Sequence, residues 1–168
     1  MKTLTQHINE RLQLNRDRVS KYEYFPQTKQ ELGGAMDKII QNHRDDKIID
    51  LNMIDTSEIT DMEALFYRSK YNYNISEWDV SRVKNMKAMF ENSEFNGDIS
   101  NWNVSNVENM NAMFMNSKFN NDISQWDVSN VENMHGIFYN SEFNQDLTPW
   151  KDKIKNKKQL RAIQDYIK

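Results

Sequence analysis

The chain says one sentence four times. Trp78, Trp102, Trp126 and Trp150 fall 24 residues apart, as do Phe66, Phe90, Phe114 and Phe138. Met62, Met86, Met110 and Met134 keep the step, and so do Ile75, Ile99, Ile123 and Leu147. A fixed period of this length is the signature of a repeat architecture and outranks any local secondary-structure preference. One copy has too few apolar residues for a core of its own. The large side chains must be buried against their equivalents in the next copy. The pattern predicts an α/β repeat solenoid. It would have four 24-residue strand–turn–short-helix turns between helical N- and C-terminal caps.

Within each copy, Ser81, Ser105 and Ser129 follow apolar residues, and Glu108 and Glu132 stand three residues after the last two serines. That spacing is a capping box, so a short helix is expected with Val107, Met110, Met113 and Phe114 on one face. Asn116 and Ser117 end it. Trp126 and Val128 alternate as a strand with one buried face does, and neighbouring strands should pair in parallel about 4.8 Å apart. The registered asparagines, Asn72, Asn96, Asn120 and Asn144, and Asn85, Asn109 and Asn133, should satisfy backbone groups that the turns leave unpaired.

The flanks divide the chain into three. Residues 1–50 form a helical cap. Leu4, Ile8 and Leu12 give a helix over about 3–14, and Tyr22 and Tyr24 alternate as a short extended segment before Pro26. Thr28 and Glu31 cap a second helix over 28–43, with Leu32, Ala35, Met36, Ile39 and Ile40 on its apolar stripe. Gly33 and Gly34 interrupt that stripe and weaken it, in a place where glycine permits close packing. Residues 51–150 are the array: a half-repeat at 51–54, then copies 55–78, 79–102, 103–126 and 127–150. Residues 151–168 are a basic helical cap, with Asn156 capping a helix through Lys168 and Leu160, Ile163 and Ile167 on one face.

Charge follows the same division. The array carries 6 Lys/Arg against 15 Asp/Glu, whereas residues 151–168 carry 7 against 2. An acidic array argues against nucleic acid as a partner, because binding it requires phosphate neutralisation. The basic tail reads as a solvated face or as a contact for an acidic partner. There is no cysteine, so cysteine-ligated zinc, a disulfide and a lipidated cysteine are excluded. No window approaches the roughly 18 apolar residues of a membrane span, and the opening residues have no apolar run of a secretory signal. The expected location is therefore the cytoplasm.

The run D-V-S-x-V-x-N-M-x-x-M-F-x-x-S-x-F-N-x-D-I-S-x-W closely resembles the BspA-like leucine-rich-repeat family of bacterial surface proteins and lipoproteins. The resemblance covers residues 55–150. It implies a solenoid and protein–protein contacts such as adhesion. The opening M-K-T-L-T-Q-H-I-N-E is also similar to short N-termini of small proteins of gut-bacterial phages.

Register sorts the candidate sites. The tryptophans read as core, together with Phe66, Phe90, Phe114 and Phe138, and the methionines as gap-fillers. Asp98, Asp122 and Asp146, with Asn74 in the first copy, are either turn caps or stacked calcium ligands. They lack the glycine pattern of calcium-binding repeats, so no metal is expected. His7, His43 and His135 lack metal-site spacing. There is no nucleophile motif and no phosphate loop. No catalytic residue and no cofactor is assigned.

Variation within the register marks the candidate binding surface. Glu77, Asn101, Gln125 and Pro149 share one column, and Tyr73, Gly97, Asn121 and Gln145 another. Lys70, Glu94, Lys118 and Glu142 alternate in charge, which suits cross-copy ion pairs. The candidate binding residues are Tyr73, Glu77, Asp98, Ser100, Asn101, Asn121, Asp122, Ser124 and Gln125, with Ser100 and Ser124 exposed on the strand face. The expected function is a non-catalytic scaffold that binds another protein, as a phage protein acting on a host factor or within the virion. A surface adhesin fragment, and a ligand- or metal-binding protein or enzyme, are the alternatives.

Overall fold

The computed structural model describes residues 21–167. The helix expected over 3–14 and the residues through 20 lie outside the described part. Tyr24 forms a parallel bridge with Ile54, and Asp55 donates to the Tyr24 carbonyl at 2.9 Å. This short extended piece leads into helix α1, Lys29–Asn42. Thr28 Oγ1 accepts from the Glu31 N–H at 3.2 Å. The Glu31 carboxylate accepts from the Gln27 N–H at 2.7 Å, one residue earlier than a reciprocal capping box would place it. Leu32, Ala35, Met36 and Ile39 are buried and join the core of the repeats. Gly33 and Gly34 do not serve close packing: a Cβ built at either meets nothing within 4 Å.

Strand β1, Ile48–Asp50, pairs in parallel with β2, Asn72–Asn74, in the register Ile48↔Asn72. That offset is one repeat. Further parallel bridges join Asp61, Asn85, Asn109 and Asn133 in turn, so the copies stack in register.

No helix lies between β2 and Thr148 among the described residues. The expected helix at Val107–Phe114 is instead a run of overlapping turns. Met62, Ala64, Phe66 and Arg68 donate their N–H groups to the carbonyls of Asn85, Lys87, Met89 and Glu91 in the next copy, at 2.8–2.9 Å. The N–H groups between them, of Leu65, Tyr67 and Ser69, bond three residues back within their own copy. An α-helix keeps every N–H inside its own chain segment. Here every second one goes to the neighbour, and the chain accommodates this by visiting the left-handed region every fourth residue. Ala64, Ala88 and Ala112 have φ of 53–55°, Arg68, Asn92, Asn116 and Asn140 of 54–58°, and Gly136 of 64°. The strand expected at Trp126–Val128 is absent as well. Both side chains are buried, and tight turns such as Trp126 N–H to Ile123 carbonyl, 3.1 Å, hold them there.

The core is a set of columns. Phe66, Phe90, Phe114 and Phe138 stack with centroids 5.2–5.6 Å apart and planes within 7°. Phe95, Phe119 and Phe143 stack at 6.1 Å, and Trp102, Trp126 and Trp150 at 6.4 Å. The copies are closest where backbone hydrogen bonds join them and wider at the tryptophans. The asparagine columns close turns and link copies: Asn96, Asn120 and Asn144 each donate a backbone N–H to the preceding column member's side chain at 2.9–3.0 Å.

After the 3-10 turn Thr148–Trp150, helix α2 spans Lys157–Ile163, capped by Asn156, and a second 3-10 turn, Gln164–Tyr166, follows. The regular helix thus stops short of the Lys168 end expected for it.

Candidate interaction surface

Each tryptophan is buried and committed to the stack. The indole Nε1 of Trp78, Trp102, Trp126 and Trp150 donates to the carbonyls of Leu51, Ile75, Ile99 and Ile123 at 3.0–3.1 Å. A buried indole needs an acceptor, and the preceding copy supplies it. No tryptophan face is left for a ligand to stack on.

Several candidate binding residues turn out to be packing residues. Tyr73 is 3% exposed. Its ring lies 4.7 Å from Phe66, the place that Phe95, Phe119 and Phe143 fill in the later copies. The β2 alternation turns Tyr73 inward, and its hydroxyl meets Ser69 Oγ at 2.6 Å. Burial pushes the phenol pKa up, with the Ser69 hydrogen bond opposing. Gly97, in the same column, is obligatory: a Cβ there would sit 2.6 Å from the Tyr73 carbonyl oxygen and 2.8 Å from the Phe95 ring. Asn121 Nδ2 donates to the Asn96 and Gly97 carbonyls at 2.9 and 3.2 Å, and Gln145 reaches Asn120 similarly. This column stitches copies together.

Ser124 is 8% exposed and Ser100 half-buried, so neither stands on an open strand face. The turn that replaces the strand tucks them under. Their N–H groups donate to Asp122 at 2.8 Å and Asp98 at 2.9 Å. Asp146 receives the Thr148 N–H in the same way. The acidic column therefore caps turns. The backbone N–H and hydroxyl of Ser100 hold the Asp98 carboxyl below its ordinary range. Among the described residues no group of three or more His, Cys, Asp or Glu is placed to hold a metal ion. His43 pairs with Asp46 at 2.8 Å, and His135 is exposed.

Glu77, Asn101 and Gln125 remain exposed in one column; Glu77 faces Lys21 at 3.1 Å. Of the alternating-charge column, Lys118 pairs with Glu142. Other pairs one repeat apart are Lys87–Glu63 at 2.8 Å and Lys84–Glu108 at 2.9 Å. Lys87 is the main cause that lowers the Glu63 pKa, with Asn85 second.

Two features escaped the sequence. The run of turns carries its own outward column, Tyr67, Glu91, Met115 and Tyr139, with Tyr67 42% and Tyr139 70% exposed. Its signal was present, because these four positions vary while Phe66, Phe90, Phe114 and Phe138 beside them do not. A helix assignment hid it. The second is a cavity of about 750 Å³ between the fourth copy and α2, lined by Met134, Gly136, Phe138, Lys158, Arg161 and Tyr166 among others. Nothing in the repeat pattern announces a cavity at its boundary. No helix among the described residues is long and apolar enough to cross a membrane.

The family model described as "Mycoplasma protein of unknown function, DUF285" matches residues 34–150. No curated protein and no solved structure matches the chain.

Proposed function

The chain belongs to the DUF285 family of Mycoplasma proteins of unknown function, and on that premise we propose that it is a non-catalytic scaffold that binds another protein. We assign the repeats to the solenoid class, of the leucine-rich-repeat kind that the BspA-like resemblance implies, with turn runs in place of helices. The registered hydrogen bonds between copies and the aromatic columns support this assignment. The opening residues favour a phage protein, with a host factor or a virion component as its partner.

The observation that carries the reading is the outward column Tyr67, Glu91, Met115 and Tyr139. It varies in chemistry while the backbone beneath it is held by a hydrogen bond at every second residue. Tyrosine and methionine are enriched at protein interfaces, and a rigid base lowers the ordering cost of binding.

The test is photocrosslinking in the native host, with a photoreactive side chain at Tyr67 or Met115 and a control at the exposed Asn103. The expected result is one protein captured from both column positions and not from Asn103. Equal labelling of abundant proteins from all three positions would overturn the reading.

A further inference from the structure

Within the turn runs the alternate N–H groups all donate to the following copy; the bonds that return, such as Glu94 N–H to the Ser69 carbonyl, lie at the ends of the runs. In the third copy, Met110, Ala112, Phe114 and Asn116 donate to the carbonyls of Asn133, His135, Ile137 and Tyr139 at 2.7–3.0 Å. The fourth copy has the same backbone. Ile137, Tyr139 and Ser141 bond three residues back at 3.1–3.2 Å, and Gly136 and Asn140 hold positive φ. The N–H groups of Met134, Gly136, Phe138 and Asn140 therefore face the position a fifth copy would occupy. None of the four has an acceptor among the described residues.

Helix α2 stands on that side and cannot serve. None of its carbonyls accepts from the four N–H groups, because a helix spaces its carbonyls along a 3.6-residue turn rather than at alternate residues in one row. Its anchors fall mostly beside the row, with the Tyr166 ring edge-on against Phe138 at 5.2 Å. Gln159 Nε2 donates to the Val131 carbonyl at 2.5 Å, Leu147 N–H to the Tyr166 carbonyl at 2.7 Å, and the Tyr166 hydroxyl to the Phe138 carbonyl at 3.4 Å. Between helix and row lies the 750 Å³ cleft, and all four donor residues line it. Buried backbone donors in folded proteins are almost always paired, so a row of four without a protein acceptor must be satisfied by water or by a ligand. Four at alternate residues in one cleft match the donor side of a strand-addition site.

We propose that this cleft takes an acidic peptide segment of a partner protein, held by carbonyls at alternate residues on the four N–H groups. The proposal rests on the scaffold reading and names the partner's chemistry. The charge argument rests on α2. Lys158 and Arg161 line the cleft with no ion pair among the described residues. Glu132 and Asp165 also line it, so the affinity comes from the backbone row, and the two α2 cations favour acidic side chains on the segment.

The probe is a synthetic peptide copying residues 57–69, which carries Glu58, Asp61 and Glu63 and the run whose counterparts in later copies accept these bonds. Amide hydrogen exchange on the intact protein reads the outcome. In the free protein, Met134, Gly136, Phe138 and Asn140 should exchange at least about 100-fold faster than Met110, Ala112, Phe114 and Asn116. Millimolar peptide should slow the four by about tenfold or more, while a sequence-scrambled peptide does not. Ala162→Trp, which fills the cleft from α2, should abolish the protection with the rest of the exchange map unchanged. Arg161→Glu should weaken it. Protection of the four without peptide, equal protection by the scrambled peptide, or no effect of either peptide would overturn the proposal. Crosslinks from Tyr67 and Met115 alongside a silent peptide would remove the cleft alone and leave the scaffold reading standing.

Discussion

The two ends of the repeat stack are closed by helices of different quality. At the first copy, α1 spans 14 residues, is capped by Thr28, and buries Leu32, Ala35, Met36 and Ile39. At the fourth copy, α2 spans 7 residues and buries only Gln159 and Ile163. The difference follows from the direction of the hydrogen bonds. Copies one to three each donate N–H groups to the carbonyls of the following copy. The first copy thus faces α1 with the carbonyl side of its turn run, and the fourth faces α2 with the N–H side. Unbonded carbonyls are tolerated better than unbonded N–H groups. An apolar helix face is a sufficient lid for the first end, whereas the second retains a cleft lined by donors. A repeat identical at both ends in sequence is therefore polar in structure.

The comparison can be broken at its centre. Phe114 is fully buried between Phe90 and Phe138. Phe114→Ala should cost about 3–5 kcal/mol in urea unfolding and uncouple the two ends, seen as separate transitions by exchange at Ile39 and Ile163. A loss below about 1 kcal/mol would show that the columns are not one core.

The two lids can then be weighed against each other. Ile39→Ala, at a residue 3% exposed on α1, should cost about 2–4 kcal/mol of global stability. Ile163→Ala should act mainly by opening α2 locally, with exchange rising there before the copies respond. A global loss equal to that of Ile39→Ala would mean the lids are equivalent.

Glycine and alanine sharpen the distinction between helix and turn run through opposite signs. Gly33→Ala and Gly34→Ala lie in a real helix with open space around the new methyl, so each should add about 0.5–1 kcal/mol. Ala64→Gly lies in a turn run at φ 55° and is exposed. It should be neutral or stabilise by up to about 1 kcal/mol through relief of left-handed strain, whereas in a helix it would cost about 1 kcal/mol. Thermal denaturation of the three variants decides between these outcomes.

The smallest effect is electrostatic. Asp98 and Asp127 have pKa values lowered from 3.8, Asp98 mainly by the Ser100 backbone N–H and Asp127 mainly by the Ser129 side chain. A depressed folded-state pKa contributes stability above the unfolded value, and that contribution is lost as pH falls through the folded one. Both carboxylates are largely exposed, so solvent screening keeps the contribution well under about 1 kcal/mol each. Asp98→Asn should therefore flatten only the acid limb of the stability curve below about pH 4, with stability at neutral pH nearly unchanged.

Much of the candidate surface is packing in the structure, for one reason. A column that varies looks free, yet Tyr73 and Gly97 vary together because one fills the space beside Phe66 and the other clears the Tyr73 carbonyl. Ser124 is buried because the chain turns where strand alternation would have pointed it outward. Glu77, Asn101 and Gln125 lie in an exposed column, because none of the three fills a place in the buried stack.

By itself the sequence determined the period, the stacking partners and the buried columns. A large side chain recurring every 24 residues has no other place to leave water than against its own equivalent. It also determined the two capped helices, since Thr28 and Asn156 act on N–H groups two or three residues away. Only the tertiary structure decided the backbone path inside each copy. The choice between a helix and a turn run depends on whether alternate N–H groups find carbonyls in a neighbouring copy, and no local window contains that neighbour. The same competition leaves four donors facing the cleft under α2, so the most distinctive end of the molecule became visible only once the copies were stacked.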